Sequence, residues 1–275
     1  MKVRRKKQIV IPLILFLLLI IYLIPIFAMV INSFKPYGEI MESFVAMPIE
    51  PTFRNFVKAW ESLDFMRTTG NTLLMTAITI VGLLAISAPA AYKLGRTNTR
   101  FSRFMYAFFT IPYLIPFFAY MIPVVKMARD FHLANSIIGV SLVNIGTGGA
   151  FALFMLSGAV KTIPKELDEA AFVDGCTQFQ VFGKIILPLM MPALSSVTVI
   201  YALWTWNNFM LPFLLLTKKS KVTLIVKVYE LFGTYGTNWE IVIASLLLIS
   251  LPIILLYVVF QKTIIGGITA GAVKG

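Results

Sequence analysis

The sequence predicts an all-α integral membrane protein of six transmembrane helices, with a cytoplasmic helix-turn-helix after the fourth and both termini cytoplasmic. Composition, six long apolar runs and the placement of the basic residues carry that expectation. Of 275 residues, 59% are hydrophobic and 13% charged, where a soluble chain has about 45–50% apolar and about 25% charged residues. Mean hydropathy is +0.86. The 24 basic and 12 acidic side chains are too few to cover a soluble surface of this size, so the solvent for most of the chain is lipid. A single cysteine, Cys176, cannot form an internal disulfide, and the single histidine, His132, completes none of the usual zinc-ligand sets. The net charge of +12 is not arranged as one basic face but as short clusters between apolar runs. That pattern argues against nucleic acid as a partner and supplies membrane orientation instead.

A bilayer-spanning helix needs about 20 apolar residues, because lipid leaves every backbone polar group to be satisfied within the segment. The first such run covers residues 9–31 and follows Lys2, Arg4, Arg5, Lys6 and Lys7. It is longer than a signal-peptide core and no small-x-small cleavage site follows it, so an uncleaved anchor is expected. The other runs cover 71–92, 104–125, 133–160, 190–216 and 241–261. Several contain proline (Pro12, Pro25, Pro89, Pro112, Pro116, Pro123, Pro212 and Pro252), and the fourth contains Gly146-Thr147-Gly148-Gly149. Such interruptions are tolerated where neighbouring helices re-satisfy the freed carbonyls, which implies a packed bundle.

Six spans place both termini on one side. On that side lie the N-terminal five cations, then Lys93, Arg96, Arg100 and Arg103, then Lys161, Lys165 and Lys184, then Lys262 and Lys274. Only Glu166, Asp168, Glu169 and Asp174 oppose them there. The positive-inside rule makes this side cytoplasmic and residues 32–70 a long external loop, and the acid-free Arg96 to Arg103 connection is its clearest indicator.

None of the six runs carries an Asp, Glu, Lys or Arg at its middle. Ion-coupled carriers usually keep an intramembrane ionisable relay, so that class is the competing reading rather than the favoured one. Nor is there a paired-carboxylate, Ser/His/Asp or Cys/His set for catalysis. The one Gly-Lys pair, Gly183-Lys184, has Gln178 in place of the leading glycine of a phosphate loop and Ile185 after the lysine. Any ATP is handled by another chain, and no cofactor is expected in this one.

Residues 162–192 read TIPKELDEAAFVDGCTQFQVFGKIILPLMMP. Pro164 suits a first helical position, Glu166 and Asp168 fall where a helix dipole favours anions, and Gly175 is placed to end the helix in a left-handed conformation. The composition alone also fits an amphipathic helix lying on the membrane surface. The run Glu169-Ala170-Ala171, Gly175, Ile185, Leu187-Pro188 resembles the EAA signature of ABC-importer permeases in full and at its spacing. The resemblance implies a loop docked in a groove of a cytoplasmic ATPase through Glu169, Ala170, Ala171, Asp174, Gly175, Ile185, Leu187 and Pro188. Glu169 would be its charged anchor and Gly175 its hinge.

The C-terminal run Gly266 to Gly275 and the stretch Trp206-Asn207-Asn208-Phe209 are similar to the carbohydrate-uptake subfamily, in particular to the smaller permease of maltose-type systems. This implies tail contact with the ATPase through Thr269, Ala270, Gly271 and Lys274. It also implies a single permease domain over 1–275: an anchor helix at 1–31, a five-span core at 67–262 and a tail at 263–275. The implied partners are a second permease subunit, two ATPase subunits, an extracellular or periplasmic solute-binding protein and membrane lipid. The implied location is a bacterial cytoplasmic membrane, and the implied cargo a sugar, with glycerophosphate or a polyol as the alternative.

Sugars are held by aromatic faces and planar amides in a mostly apolar cleft. Tyr201, Trp204, Thr205 and Asn208 are spaced i, i+3, i+4 and i+7, one face of a helix. Trp204 stands about 21 Å along the fifth span, where interfacial tryptophans also collect, so belt anchor and solute path are both open. Asn144, Thr147 and Ser157 in the fourth span are candidates of the same kind, or helix–helix glue.

Overall fold

The computed structural model describes residues 2–233 and 237–272, with side chains for 11–233, 237–258 and 261. Among these residues the regular structure is helical, apart from an isolated bridge between Phe232 and Thr237. The chain forms two compact units, Met1–Phe65 with Lys227–Pro252, and Met66–Val226 with Ile253–Gly275. Four described helices are long and apolar enough to cross a membrane, or up to six if each of two bent pairs is one span.

In the first unit, α1 (Lys2–Ser33) passes through Pro12 and Pro25 without ending. Its residues from Ile11 to Ile24 lie exposed along the helix, which is stable for so apolar a surface in lipid. The expected external loop is folded: it carries α2 (Tyr37–Glu42) and α3 (Arg54–Leu63). Buried Asn55 donates to the carbonyls of Ser33 (2.9 Å) and Lys35 (2.7 Å), and Lys35 Nζ donates to the Ser43 carbonyl at 2.8 Å. The Glu39 carboxylate accepts from the amides of Ile49 (2.8 Å) and Glu50 (3.1 Å). These bonds satisfy backbone groups that a plain loop would leave to water.

In the second unit, α4 (Phe65–Arg96) and α7 (Ile137–Thr162) are the two unbroken long helices. They close on one another where side chains are absent. A Cβ on Gly82 would lie 2.4 Å from Ile145 Cδ1, and one on Gly95 would lie 2.9 Å from Val160 Cγ1. The apolar run at 104–125 is not one straight span. It is α5 (Arg100–Thr110), a 3-10 turn (Ile111–Leu114) and α6 (Phe117–Asp130), bent by 106°. Pro112 and Pro116 remove two helical donors within one turn and hold Ile115 extended at φ −92°, ψ 122°.

The run at 190–216 is also divided. After α8 (Glu166–Val173) and α9 (Gln178–Val181), a π segment (Phe182–Ile186) and the short α10 (Leu187–Leu189) lead into α11 (Met191–Trp206) with a 71° bend. Beyond α11, Asn207 Nδ2 donates to Leu203 O at 2.9 Å and Asn208 Oδ1 accepts from the Leu211 amide at 3.4 Å, ending one helix and starting α12 (Met210–Leu215). Then follow α13 (Leu224–Tyr229) and α14 (Trp239–Ala272), whose halves fall in different units. The backbone of Thr269, Ala270 and Gly271 belongs to the last turns of α14; their side chains, and the whole of Lys274, lie outside the described residues.

The core of this unit joins Leu83, Ala91 and Tyr92 of α4, Leu153, Leu156 and Val160 of α7, and Val197 and Tyr201 of α11 with Ala171, Val181 and Ile186 of the 162–190 segment. The hairpin is thus part of the packed bundle.

Candidate functional site

All five proposed solute-path residues line one cavity of about 260 Å³: Tyr201, Trp204, Thr205 and Asn208 on one wall and Asn144 on another. Thr147 and Thr79 join them, whereas Ser157 is fully buried elsewhere in α7. Tyr113, Phe117 and Tyr120 close the remaining side. The break at Pro116 brings these three rings in, and a straight third span would not have revealed them. The Phe151 ring stands 4.9 Å from Trp204, 6.2 Å from Tyr201 and 5.0 Å from Tyr113, between centroids.

Close approach of α7 and α11 builds this wall. Gly148 has no Cβ, and one there would lie 2.7 Å from Tyr201 Cε1; in the space left, the Tyr201 hydroxyl donates to the Gly148 carbonyl. Asn208 Nδ2 donates to Asn144 Oδ1 at 3.0 Å. That bond fixes the Asn144 amide and leaves its Nδ2 buried without a partner, as is the hydroxyl of Thr79 on the same cavity. Each such orphan costs about 1–3 kcal/mol. No lining residue is charged, so the cavity offers aromatic faces and unused neutral hydrogen-bonding groups.

The second feature is the hairpin. α8 opens with Glu166, Asp168 and Glu169 in its first turn, starting two residues later than Pro164 would suggest. Its end has Gly175 at φ +80° with the Gly175 amide donating to Phe172 O (3.1 Å) and the Cys176 amide to Ala171 O (2.9 Å). This paired closure is a Schellman motif and requires a left-handed residue. Thr177 and Gln180 form a capping box that starts α9 at once.

The EAA residues divide between two faces. Glu169, Ala170, Asp174, Gly175 and Pro188 are exposed, Ile185 and Leu187 are half-buried, and Ala171 packs into the chain's own core. Val173 at the end of α8 and Phe179 in α9 stand out at 88% and 89% exposure, two apolar residues that sequence reasoning missed. Also missed was the ion pair between Arg96 Nε and Asp168 Oδ2 at 2.5 Å.

The second unit thus holds an uncharged cavity of aromatic rings and amides among helices, some of them long and apolar enough to cross a membrane, with a capped hairpin packed into its core. The comparisons with known proteins supply the family. Residues 84–268 match the model of the binding-protein-dependent transport system inner membrane component, and the chain belongs to that family. It is 33% identical over 255 residues to a probable starch degradation products transport system permease of Thermoanaerobacterium thermosulfurigenes, covering 93% of each chain. It is 29% identical over 273 residues to the melibiose/raffinose/stachyose import permease of Bacillus subtilis, covering 99% of each. A bacterial ABC transporter involved in alginate import shares the fold, with a TM-score of 0.83 at 24% identity over 94% of this chain and 96% of that one. The chain is therefore a transport permease and not itself an enzyme.

Proposed function

We propose that the chain is one of two different permease subunits of an ATP-driven, binding-protein-dependent importer in a bacterial cytoplasmic membrane, and that its cargo is a neutral sugar or oligosaccharide. One observation carries the cargo assignment: the cavity combines aromatic rings, packed tilted and edge-on, with the partnerless Asn144 amide and Thr79 hydroxyl, groups that sugar hydroxyls complete. The import roles of the sugar-permease relatives agree with it. A basic residue on the path would favour an anionic solute such as glycerophosphate, and the part of the lining that this chain supplies is uncharged.

Coupling runs through the hairpin. Its exposed face, with Glu169, Ala170, Val173 and Phe179, meets a cytoplasmic ATPase whose two subunits hold ATP and magnesium, and the tail from Thr269 to Lys274 reaches the same partner. Both termini are cytoplasmic. An external solute-binding protein delivers the cargo, and the second permease closes the path.

The test is binding-protein-dependent uptake in cells deleted for this chain and complemented with it, using radiolabelled neutral oligosaccharides, a polyol and glycerol phosphate. Restoration for an oligosaccharide supports the reading. Restoration for glycerol phosphate alone overturns it.

A further inference from the structure

Arg96, the last residue of α4, holds three elements with one guanidinium. Nη1 donates to the carbonyls of Val160 (3.3 Å) and Ile163 (2.8 Å), which end α7. Nη2 donates to Pro164 O at 3.3 Å and to Asp168 Oδ1 at 3.5 Å, and Nε lies 2.5 Å from Asp168 Oδ2. The two side chains are 12% and 9% exposed, so the pair is largely shielded from solvent and salt. Asp168 and Glu169 are neighbours in sequence but about 100° apart around a helix; Asp168 faces Arg96 while Glu169 faces outward. One turn earlier on α4, the Tyr92 ring lies 5.5 Å from Phe182 in the π segment. The last two turns of α4 thereby meet both arms of the hairpin, Arg96 at Asp168 and Tyr92 at Phe182.

We infer that Arg96 is the positioning residue that makes the hairpin move with α4 and α7 as one body, its fork joining the Asp168 carboxylate to the carbonyls that end α7. The inference rests on the reading that the outward face of this hairpin docks the ATPase. A lysine cannot take its place, since an ammonium is a point donor and these acceptors are met by a planar fork. Without the fork, the hairpin stays docked to the ATPase through its outward face while its hold on the spans slackens. ATP is then hydrolysed without moving the path.

Arg96→Lys, Arg96→Gln and Asp168→Asn are each purified with the partner subunits and reconstituted into liposomes. ATP hydrolysed and solute imported are measured in the same vesicles. The ATPase still co-elutes, and ATP consumed per solute rises about tenfold, the effect on an equilibrium of losing one hydrogen bond to a charged group. Arg96→Gln combined with Asp168→Asn is no worse than the poorer single variant, because both break one joint. Where Arg96→Gln fails to accumulate, Arg96→Lys decides. A wild-type ratio in Arg96→Lys and Asp168→Asn, or additive losses in the double variant, overturns the inference. A Glu169→Cys cross-link separates this from the docking reading. Formation of the ATPase cross-link with an unchanged ratio removes Arg96 alone, and its absence in the otherwise unaltered chain removes both.

Discussion

Replacing Asn144 by leucine tests the cavity at its most exposed weakness. The Asn144 Nδ2 donor is buried and has no hydrogen-bond partner within the chain, which costs about 1–3 kcal/mol. Leucine removes that penalty but also removes the acceptor that Asn208 Nδ2 uses at 3.0 Å. Asn208 is half-buried and can turn to water, so its loss offsets about 1 kcal/mol. The two effects nearly cancel, and Tm of the purified complex should move by no more than about 3 °C. Solute loses the partner of one hydroxyl, and the concentration for half-maximal uptake should rise about 5- to 150-fold. The assay is initial uptake against solute concentration in liposomes, paired with thermal unfolding in detergent. Unchanged uptake together with a large fall in Tm would show that Asn144 is only helix–helix glue, and the solute path would have to lie elsewhere.

Further outcomes follow from the same geometry. Trp204→Ala should reduce uptake while Trp204→Phe restores part of it, because the ring packs against Phe151 and Tyr201 at 4.9 and 5.3 Å; a belt anchor would instead be fully rescued, as transport kinetics would show. Gly175→Val forces a side chain into φ +80° at a cost of about 1–2 kcal/mol, and should raise ATP hydrolysis per solute without clashing with neighbours, since open space surrounds that position. Gly139→Ala should lower thermal stability by about 1–3 kcal/mol, because a Cβ there would lie 2.0 Å from the Leu133 carbonyl oxygen. Single cysteines at Val45 and Arg100, with Cys176 replaced by serine, should react with impermeant maleimide only from outside and only from the cytoplasm; both positions are exposed, and labelling from one face would refute the orientation.

The helices legible in the sequence are those whose apolar run is continuous. Residues 9–31, 71–92 and 133–160 correspond to α1, α4 and α7, and even the Gly146 to Gly149 cluster stays helical, with Gly148 facing Tyr201 and Leu83. Paired breakers were harder. Pro112 and Pro116 turn one apolar run into a 106° corner, a signal present in their spacing but hidden by hydropathy. The α11 stripe was readable from period alone, whereas the facing wall at Tyr113, Phe117 and Tyr120 depends on that corner. Gly175 was readable because local backbone chemistry sets it. Arg96 was not, since a cation beside a span reads as orientation, and only the folded chain brings it to Asp168, 72 residues away.

The most direct test of the account uses liposomes containing this chain, its partner permease and the ATPase, with the binding protein and labelled oligosaccharide outside. Uptake should require hydrolysable ATP on the ATPase side together with the binding protein, and should persist when ionophores abolish every ion gradient. Uptake driven by an ion gradient in liposomes holding this chain alone would contradict it.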